Sequence, residues 1–266
     1  MIVSDRPRPD ERRVVVAGDW HGSIRWIQTL LPRIRRLAPD VKTILQLGDF
    51  GYWLAGERPG KGYLAAVDFW AKQAGIERIW VTPGNHEDWG RLSQLFADRP
   101  GEPVPITDRT LALPRGYRFT LGGRTFMSFG GAASYDTHHR TEGVDWWPTE
   151  LATQEETVAA ASGPRVEVLL THETVTSPSP QVVAEMINNR AWAPEDAQAR
   201  SALSRRRVTQ VYDYHQPRLL LHGHMHTPDV MTLPDGRQVW SLGMDRQDRN
   251  IGMLDLDTLT FDWLLE

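Results

Sequence analysis

Cysteine is absent from the 266 residues. Disulfides and thiolate metal sites are thereby excluded, and any bound metal must be held by oxygen and imidazole nitrogen. Lysine is nearly absent: Lys42, Lys61 and Lys72 are the only three, so arginine carries almost all the positive charge. Nor is there a basic excess. The 30 Lys+Arg stand against 34 Asp+Glu, a formal charge of -4, which gives no electrostatic case for an obligate nucleic-acid binder. No apolar run approaches the roughly 20 residues that span a bilayer. Residues 1–13 are polar and proline-rich, unlike a signal peptide or membrane anchor. The expectation is a cytoplasmic protein with no membrane partner and no disulfide-linked partner.

What the chain does have is the composition of a globular protein, with 40% hydrophobic and 24% charged residues. Its length suits one sizeable α/β domain over 14–266 behind a polar tail of 1–13. Five short apolar runs share one layout: Val14–Ala17 leads into Gly18-Asp19-Trp20-His21-Gly22, Thr43–Leu47 into Gly48-Asp49, Arg78–Val81 into Gly84-Asn85-His86-Glu87, Val166–Leu170 into Thr171-His172-Glu173, and Arg218–Leu221 into His222-Gly223-His224-Met225-His226. Near-continuous apolar runs of this length read as strands covered on both faces. Helical periods fall between them, over Ser23–Leu37 with Ser23 as N-cap, over Gly62–Ala74 and from Thr149 to Ala161. Strands alternating with helices predict a mainly parallel or mixed sheet in an α/β fold, whose ligands bind beyond the carboxyl ends of the strands. All five polar clusters stand at that end.

Antiparallel patterns follow at Tyr117–Phe129 around Gly122-Gly123, at Met231–Trp240 around Pro234-Asp235-Gly236, and at Gly252–Trp263, so a second sheet is expected. Residues 177–216, polar and helical in the middle, read as an insertion beside the site.

The clusters offer two aspartates, one asparagine and several histidines, donors suited to Mn²⁺, Fe, Zn²⁺ or Mg²⁺. Two such ions about 3.5–4 Å apart hold a bridging hydroxide and clamp a phosphoryl group for in-line attack. A shared carboxylate is needed between them, and Asp49, alone at its strand end, is the candidate.

These blocks, all present and in order from Asp19 to His226, resemble the calcineurin-like metallophosphoesterase superfamily. The resemblance implies a β-sandwich of two mixed sheets flanked by α-helices and a dinuclear centre, with manganese favoured. It implies that Asp19, His21 and His226 bind one ion, that Asn85, His172 and His224 bind the other, and that Asp49 bridges. His86 would face the leaving-group oxygen as proton donor or cation. A narrower stretch, Phe129–Asp136, Arg140 and Gly143–Glu150, looks like small bacterial and phage-encoded members. From it Asp136 and Arg140 are expected to reach the substrate phosphate or order the metal loops; an ordinary ion pair is the alternative. In serine/threonine protein phosphatases the second block continues with an Asp and an Arg. Here Phe50-Gly51-Tyr52-Trp53 follows Asp49, which argues against that branch and leaves Glu87 or Asp88 as substitute supports for His86.

Aromatic residues crowd the same loops. Most are expected to pack beneath them, with Trp20 and Trp53 as exceptions that stack on substrate. His222 is expected to be buried, His138, His139 and His215 to be surface or rim residues, and Arg205–Arg207 a solvated helix face. The expected activity is hydrolysis of a small phosphorylated substrate, a phosphomonoester or phosphodiester, with a lean to a nucleotide-type diester. A non-catalytic scaffold on the same fold and a single-strand nuclease are the competing readings.

Overall fold

The computed structural model describes residues 10–52 and 62–264. Five strands open the first sheet: β1 (Arg13–Ala17), β2 (Thr43–Gln46), β3 (Arg78–Val81), β4 (Val104–Pro105) and β5 (Thr110–Ala112). The next six build the second: β6 (Tyr117–Leu121), β7 (Arg124–Phe129), β8 (Val168–Thr171), β9 (Leu219–His222), β10 (Asp229–Thr232) and β11 (Gln238–Ser241). The chain then returns to the first sheet with β12 (Ile251–Asp255) and β13 (Thr260–Trp263). The orders are β13-β12-β1-β2-β3-β5-β4 and β10-β11-β9-β8-β7-β6. Each sheet is mixed, with a parallel centre (β1, β2, β3, β5 and β7, β8, β9, β11) and antiparallel edges. This is the expected two-sheet α/β fold. The five apolar runs are the central strands, divided three and two between the sheets.

Side-chain alternation sets the layers. Val14 and Val16 face the space between the sheets, with Leu45, Trp80, Phe126, Leu170 and Leu221. Val15 and Ala17 face outward against α1 (Ile24–Leu37), α2 (Tyr63–Ala74) and α3 (Trp89–Asp98). The outer face of the second sheet packs Met127, Leu169 and Leu220 under α6 (Glu195–His215), which follows α4 (Gln154–Ala160) and α5 (Pro180–Arg190). The result is a helix–sheet–sheet–helix sandwich.

Local signals explain most boundaries. Ser23 caps α1 by accepting from Trp26 N. Gly122 and Gly123, both left-handed, turn the β6–β7 hairpin. The helix expected from Thr149 starts later: Pro148–Glu150 is a single 3-10 turn, and Thr153 forms a capping box with Glu156. That reciprocal pair satisfies two backbone donors, which a Thr149-x-x-Ala152 start cannot do. Helix α3 was not expected; Asp88 caps it by accepting from Arg91 N at 3.0 Å. At the N-terminus, Glu11 lies within the stretch read as a tail, yet it is buried and accepts from Thr43 Oγ1 (2.9 Å) and Arg78 Nη2 (3.2 Å). No helix among the described residues is long and apolar enough to cross a membrane.

Trp80 stands between the sheets, edge-on to Phe119 at 4.8 Å. Trp80→Ala is expected to cost about 3–5 kcal/mol, read as a fall in the urea midpoint at unchanged slope. A loss below about 1 kcal/mol would show that the inter-sheet core does not carry the fold.

Candidate metal centre

The carboxyl ends of β1, β2 and β3 in one sheet meet those of β8 and β9 in the other. Two groups of ligand atoms result: Asp19, His21, Asp49 and His226 in one, Asp49, His172 and His224 in the other, with the atoms of each group within 4.8 Å of one another. Asp49 belongs to both. Asn85 Oδ1 joins the second group, 3.0 Å from His172 Nε2. Within the first, Asp19 Oδ2 is 2.9 Å from His226 Nε2 and Asp49 Oδ2 is 3.6 Å from His21 Nε2. All seven candidate ligands are thus brought together.

Backbone hydrogen bonds hold the loops. The N–H groups of Trp20 (3.1 Å) and His21 (2.7 Å) both donate to the carbonyl of Asp49. The buried amide of Gln46 bonds Gly18 O, Gly48 O and Gly48 N. Asn250, arriving just before β12, donates to Asp19 O at 3.1 Å. The carboxylate of Glu87 accepts from the N–H groups of Asp49 (3.1 Å), Gly51 (3.2 Å) and Gly84, so it braces two metal loops at once. Two side chains are aimed the same way: Asp49 Oδ1 accepts from His86 N (2.9 Å) and Asp19 Oδ1 from His224 N (3.2 Å).

The local backbone is strained. His21, Asp49, His224 and His226 all have positive φ, between 46° and 66°. For residues with a Cβ this region costs about 1–2 kcal/mol each, and such strain persists where the surroundings over-determine it. Glycines supply the room: a Cβ on Gly84 would strike Asp49 Oδ1, and one on Gly223 would strike Asp19 Oδ1.

The donor set fits a pair of cations. Asp19 and Asp49 are buried carboxylates whose burial is unfavourable without positive charge nearby. His224 Nε2 is buried without a hydrogen-bond partner among the described residues, and buried Asp19 Oδ2, though 2.9 Å from His226 Nε2, is not aligned with it as a hydrogen bond. His172 Nδ1 lies 2.6 Å from Leu47 O, and a carbonyl carries no proton, so Nδ1 must donate and Nε2 is left with its lone pair toward Asn85 and Asp49. Burial opposes charge on His172 and His21. The carboxylates nevertheless prevail: Asp49 and Asp19 hold His172 at about 10, while hydrogen bonds to Asp245 and Asp49, with the charge of Asp19, hold His21 at about 11. Before a cation binds, a second proton on Nε2 of each ring supplies the positive charge that the carboxylates require; a bound cation would take the place of that proton. Burial would raise the pKa of Asp49 too, but His172 and His86 hold it well below the usual carboxylate value.

Several expected site residues come out differently. Trp20 is fully buried, its ring 5.5 Å from Phe50, so it packs under the loops out of reach of a substrate. Trp53 lies outside the described residues. Asp136 and Arg140 form a bidentate pair, with both bonds 2.7 Å, so the fork that would meet a phosphate is occupied by a carboxylate. His86 has its Nε2 3.9 Å from Asp49 Oδ2, and burial pushes it down to about 4; a cationic ring at neutral pH would need the charge of a bound phosphate. Neither neighbour expected to support it does so, because Glu87 is spent on backbone N–H groups and Asp88 on the α3 cap. His215 is buried rather than on the surface, bonded through Nε2 to Ala160 O at 2.9 Å. Arg205 is not solvated either: it is buried and donates to Tyr135 Oη at 3.0 Å. His222 is buried as expected.

Asp245 was missed. Its Oδ1 lies 3.1 Å from His21 Nδ1, the partner that leaves Nε2 facing the cluster. The apolar run of β11 ends in Gly243-Met244-Asp245, the same strand-then-polar layout as the other five, so a signal was present. Glu150 and Ser134, which reach Asn85, were also missed.

A family model described as calcineurin-like phosphoesterase matches residues 12–228. No curated protein matches the chain. Among solved structures, TT1561 of Thermus thermophilus is similar at 14% identity and a TM-score of 0.54, over 94% of this chain and 97% of that one. A dimetal phosphatase from Danio rerio is similar at 14% identity and a TM-score of 0.52, over 92% of each. At such identity the likeness is one of fold.

Gly84 has ordinary φ, so an added methyl acts through space alone. Gly84→Ala is expected to leave the far-ultraviolet circular dichroism unchanged and to reduce Mn²⁺ bound per chain, counted by elemental analysis after gel filtration. Undiminished Mn²⁺ would show that the Asp49 loop tolerates displacement.

Proposed function

Because the chain belongs to the calcineurin-like phosphoesterase family, and is by that membership a metal-dependent phosphoric ester hydrolase, we propose that it hydrolyses nucleotide-type phosphodiesters at the cluster around Asp49. The observation that carries the reading is the pair of ligand groups sharing one buried carboxylate. Asp19, His21, Asp49 and His226 would hold one divalent ion. Asp49, Asn85, His172 and His224 would hold the other. Manganese is favoured, since the oxygen and imidazole donors include no thiolate that would select a softer ion. When bound, the two ions offset phosphoryl charge and supply an activated water.

The protein's own residues do the rest. Asp49 neutralises charge between the two groups, and its position is set by Glu87 and by the Trp20 and His21 N–H groups. Asp245 keeps the proton of His21 on Nδ1. His86, partly exposed beside Asp49, is the group available to donate toward the leaving oxygen.

Support for a substrate bearing a planar ring comes from a residue that the sequence did not single out. Trp192 is half exposed, with its ring 6.2 Å from Tyr135 and 6.4 Å from His138. Tyr135 in turn lies nearly parallel to His224 at 6.0 Å. An open indole one ring away from a candidate ligand is a stacking surface at the edge of the site. The scaffold reading finds no support, since such proteins lose ligands and here all seven converge. A nuclease would bind single strands with a steep salt dependence, for which the charge of -4 gives no basis.

Mn²⁺-loaded protein is expected to hydrolyse bis-p-nitrophenyl phosphate, and Asp49→Asn to lower kcat by at least about a hundredfold, a loss of about 3 kcal/mol in transition-state stabilisation. Turnover of the p-nitrophenyl monoester alone would remove the diester reading. Trp192→Ala is expected to raise KM for a cyclic nucleotide about tenfold, within the about 1–3 kcal/mol of a stacking contact, and to leave an alkyl phosphodiester unchanged. Equal KM changes for both would remove the ring subsite.

A further inference from the structure

Glu150 is a fully buried carboxylate that belongs to neither ligand group. It closes the Trp146-Trp147-Pro148-Thr149-Glu150 stretch, to which the proposed chemistry gives no role. Its Oε1 accepts from the backbone N–H of Ser134 at 2.8 Å and from Arg200 Nη2, on α6, at 3.3 Å. Its Oε2 accepts from Ser134 Oγ at 2.8 Å. The same Ser134 hydroxyl accepts from Asn85 Nδ2 at 3.0 Å. Asn85, Ser134 and Glu150 are all buried, so no solvent competes along this line.

The order of protons in the chain follows from chemistry. Burial raises the pKa of Glu150, but the Ser134 N–H and the Arg200 guanidinium on Oε1 oppose that and favour the carboxylate. A hydroxyl has one hydrogen and a carboxylate none to give, so Ser134 must donate to Glu150. Only lone pairs remain on Ser134 Oγ for Asn85, which must therefore present its NH2. The amide oxygen is left on the opposite side, 3.0 Å from His172 Nε2. Nδ1 of that ring is already committed to Leu47 O, so Nε2 and the amide oxygen both face one point, where each could offer a lone pair to a cation. Without this relay the two ends of the amide would be nearly equivalent sterically, and the flipped orientation, which aims an N–H at a cation, would be open.

We infer that Glu150 is a positioning residue: acting through Ser134, it locks the Asn85 amide with its oxygen toward the second metal position, and Arg200 ties the relay to the helical insertion. This rests on the reading of Asn85 as a ligand. It gives the buried glutamate, whose isolation from solvent is otherwise unfavourable, a function at the site.

Glu150→Gln is nearly isosteric yet breaks the logic either way. If the new NH2 faces Ser134 Oγ, the hydroxyl proton loses its acceptor and is free to turn toward Asn85, which favours the flipped amide. If it faces the other side, it meets the Ser134 N–H and Arg200, donor against donor. Calorimetric titration of metal-free protein with Mn²⁺ reads the effect. Wild type is expected to take up two equivalents, and Glu150→Gln to weaken one of them at least tenfold while sparing the other. In an Asn85→Ala background, Glu150→Gln is expected to weaken Mn²⁺ binding no further. Should Glu150→Gln fail to fold, Ser134→Ala carries the same test with the same selective loss expected. Unchanged binding, equal weakening of both equivalents, or a further loss without Asn85 would each overturn the inference. A wild type that takes up fewer than two equivalents would instead remove the ligand reading beneath it, a result distinguishable before any variant is compared.

Discussion

Two carboxylates without solvent, Asp19 and Asp49, are the constraint around which the rest of the protein is arranged. A buried negative charge is tolerated only where positive charge and hydrogen-bond donors meet it. Some donors are present: the backbone N–H of His86 reaches Asp49, and that of His224 reaches Asp19. The remaining oxygens face imidazoles whose free nitrogens converge with them rather than donating in ordinary geometry. Such an arrangement is unfavourable for a protein alone and favourable for one that closes around cations. Burial opposes charge on His21 and His172, and the carboxylates beside them nevertheless raise both.

Much of the surrounding structure serves to keep those oxygens in place. The sandwich delivers five loops to one edge, and a set of buried polar side chains fastens the loops to one another. Gln46 bonds the loops after β1 and β2, Glu87 those after β2 and β3, and Asn250 links the β1 loop to the last strands. Four left-handed residues, His21, Asp49, His224 and His226, record the strain that this bracing sustains. The Glu150–Ser134–Asn85 relay extends the pattern outward to α6, so the helical insertion is part of the support of the site. Arg205 of the same helix adds to this by bonding Tyr135, the ring that lies against His224.

The fold was legible, and so was the convergence of the seven candidate ligands, because both rest on local rules. Apolar runs of strand length, each ending in glycine and a polar cluster, fixed where the strands end, and in a parallel-centred sheet strand ends are where ligands bind. What could not be read was tertiary. Trp20 sits in a loop sequence that suits exposure or burial equally, and only its packing on Phe50 decides between them. Asp136 and Arg140, four residues apart, could meet each other or a phosphate, and the short distance between them settled the pairing. Asp245 and Glu150 act on residues 224 and 65 positions away in sequence, His21 and Asn85; the strand-then-polar layout marks where Asp245 stands, but no local pattern names such distant partners. His215 and Arg205 read as polar helix residues until α6 is seen docked against the sheet.

Anomalous diffraction at the manganese edge from crystals grown with Mn²⁺ tests the centre most directly. Two peaks about 3.5–4 Å apart are expected, one beside Asp19, His21 and His226 and the other beside Asn85, His172 and His224, with Asp49 touching both. A single peak, or peaks away from Asp49, would contradict that arrangement.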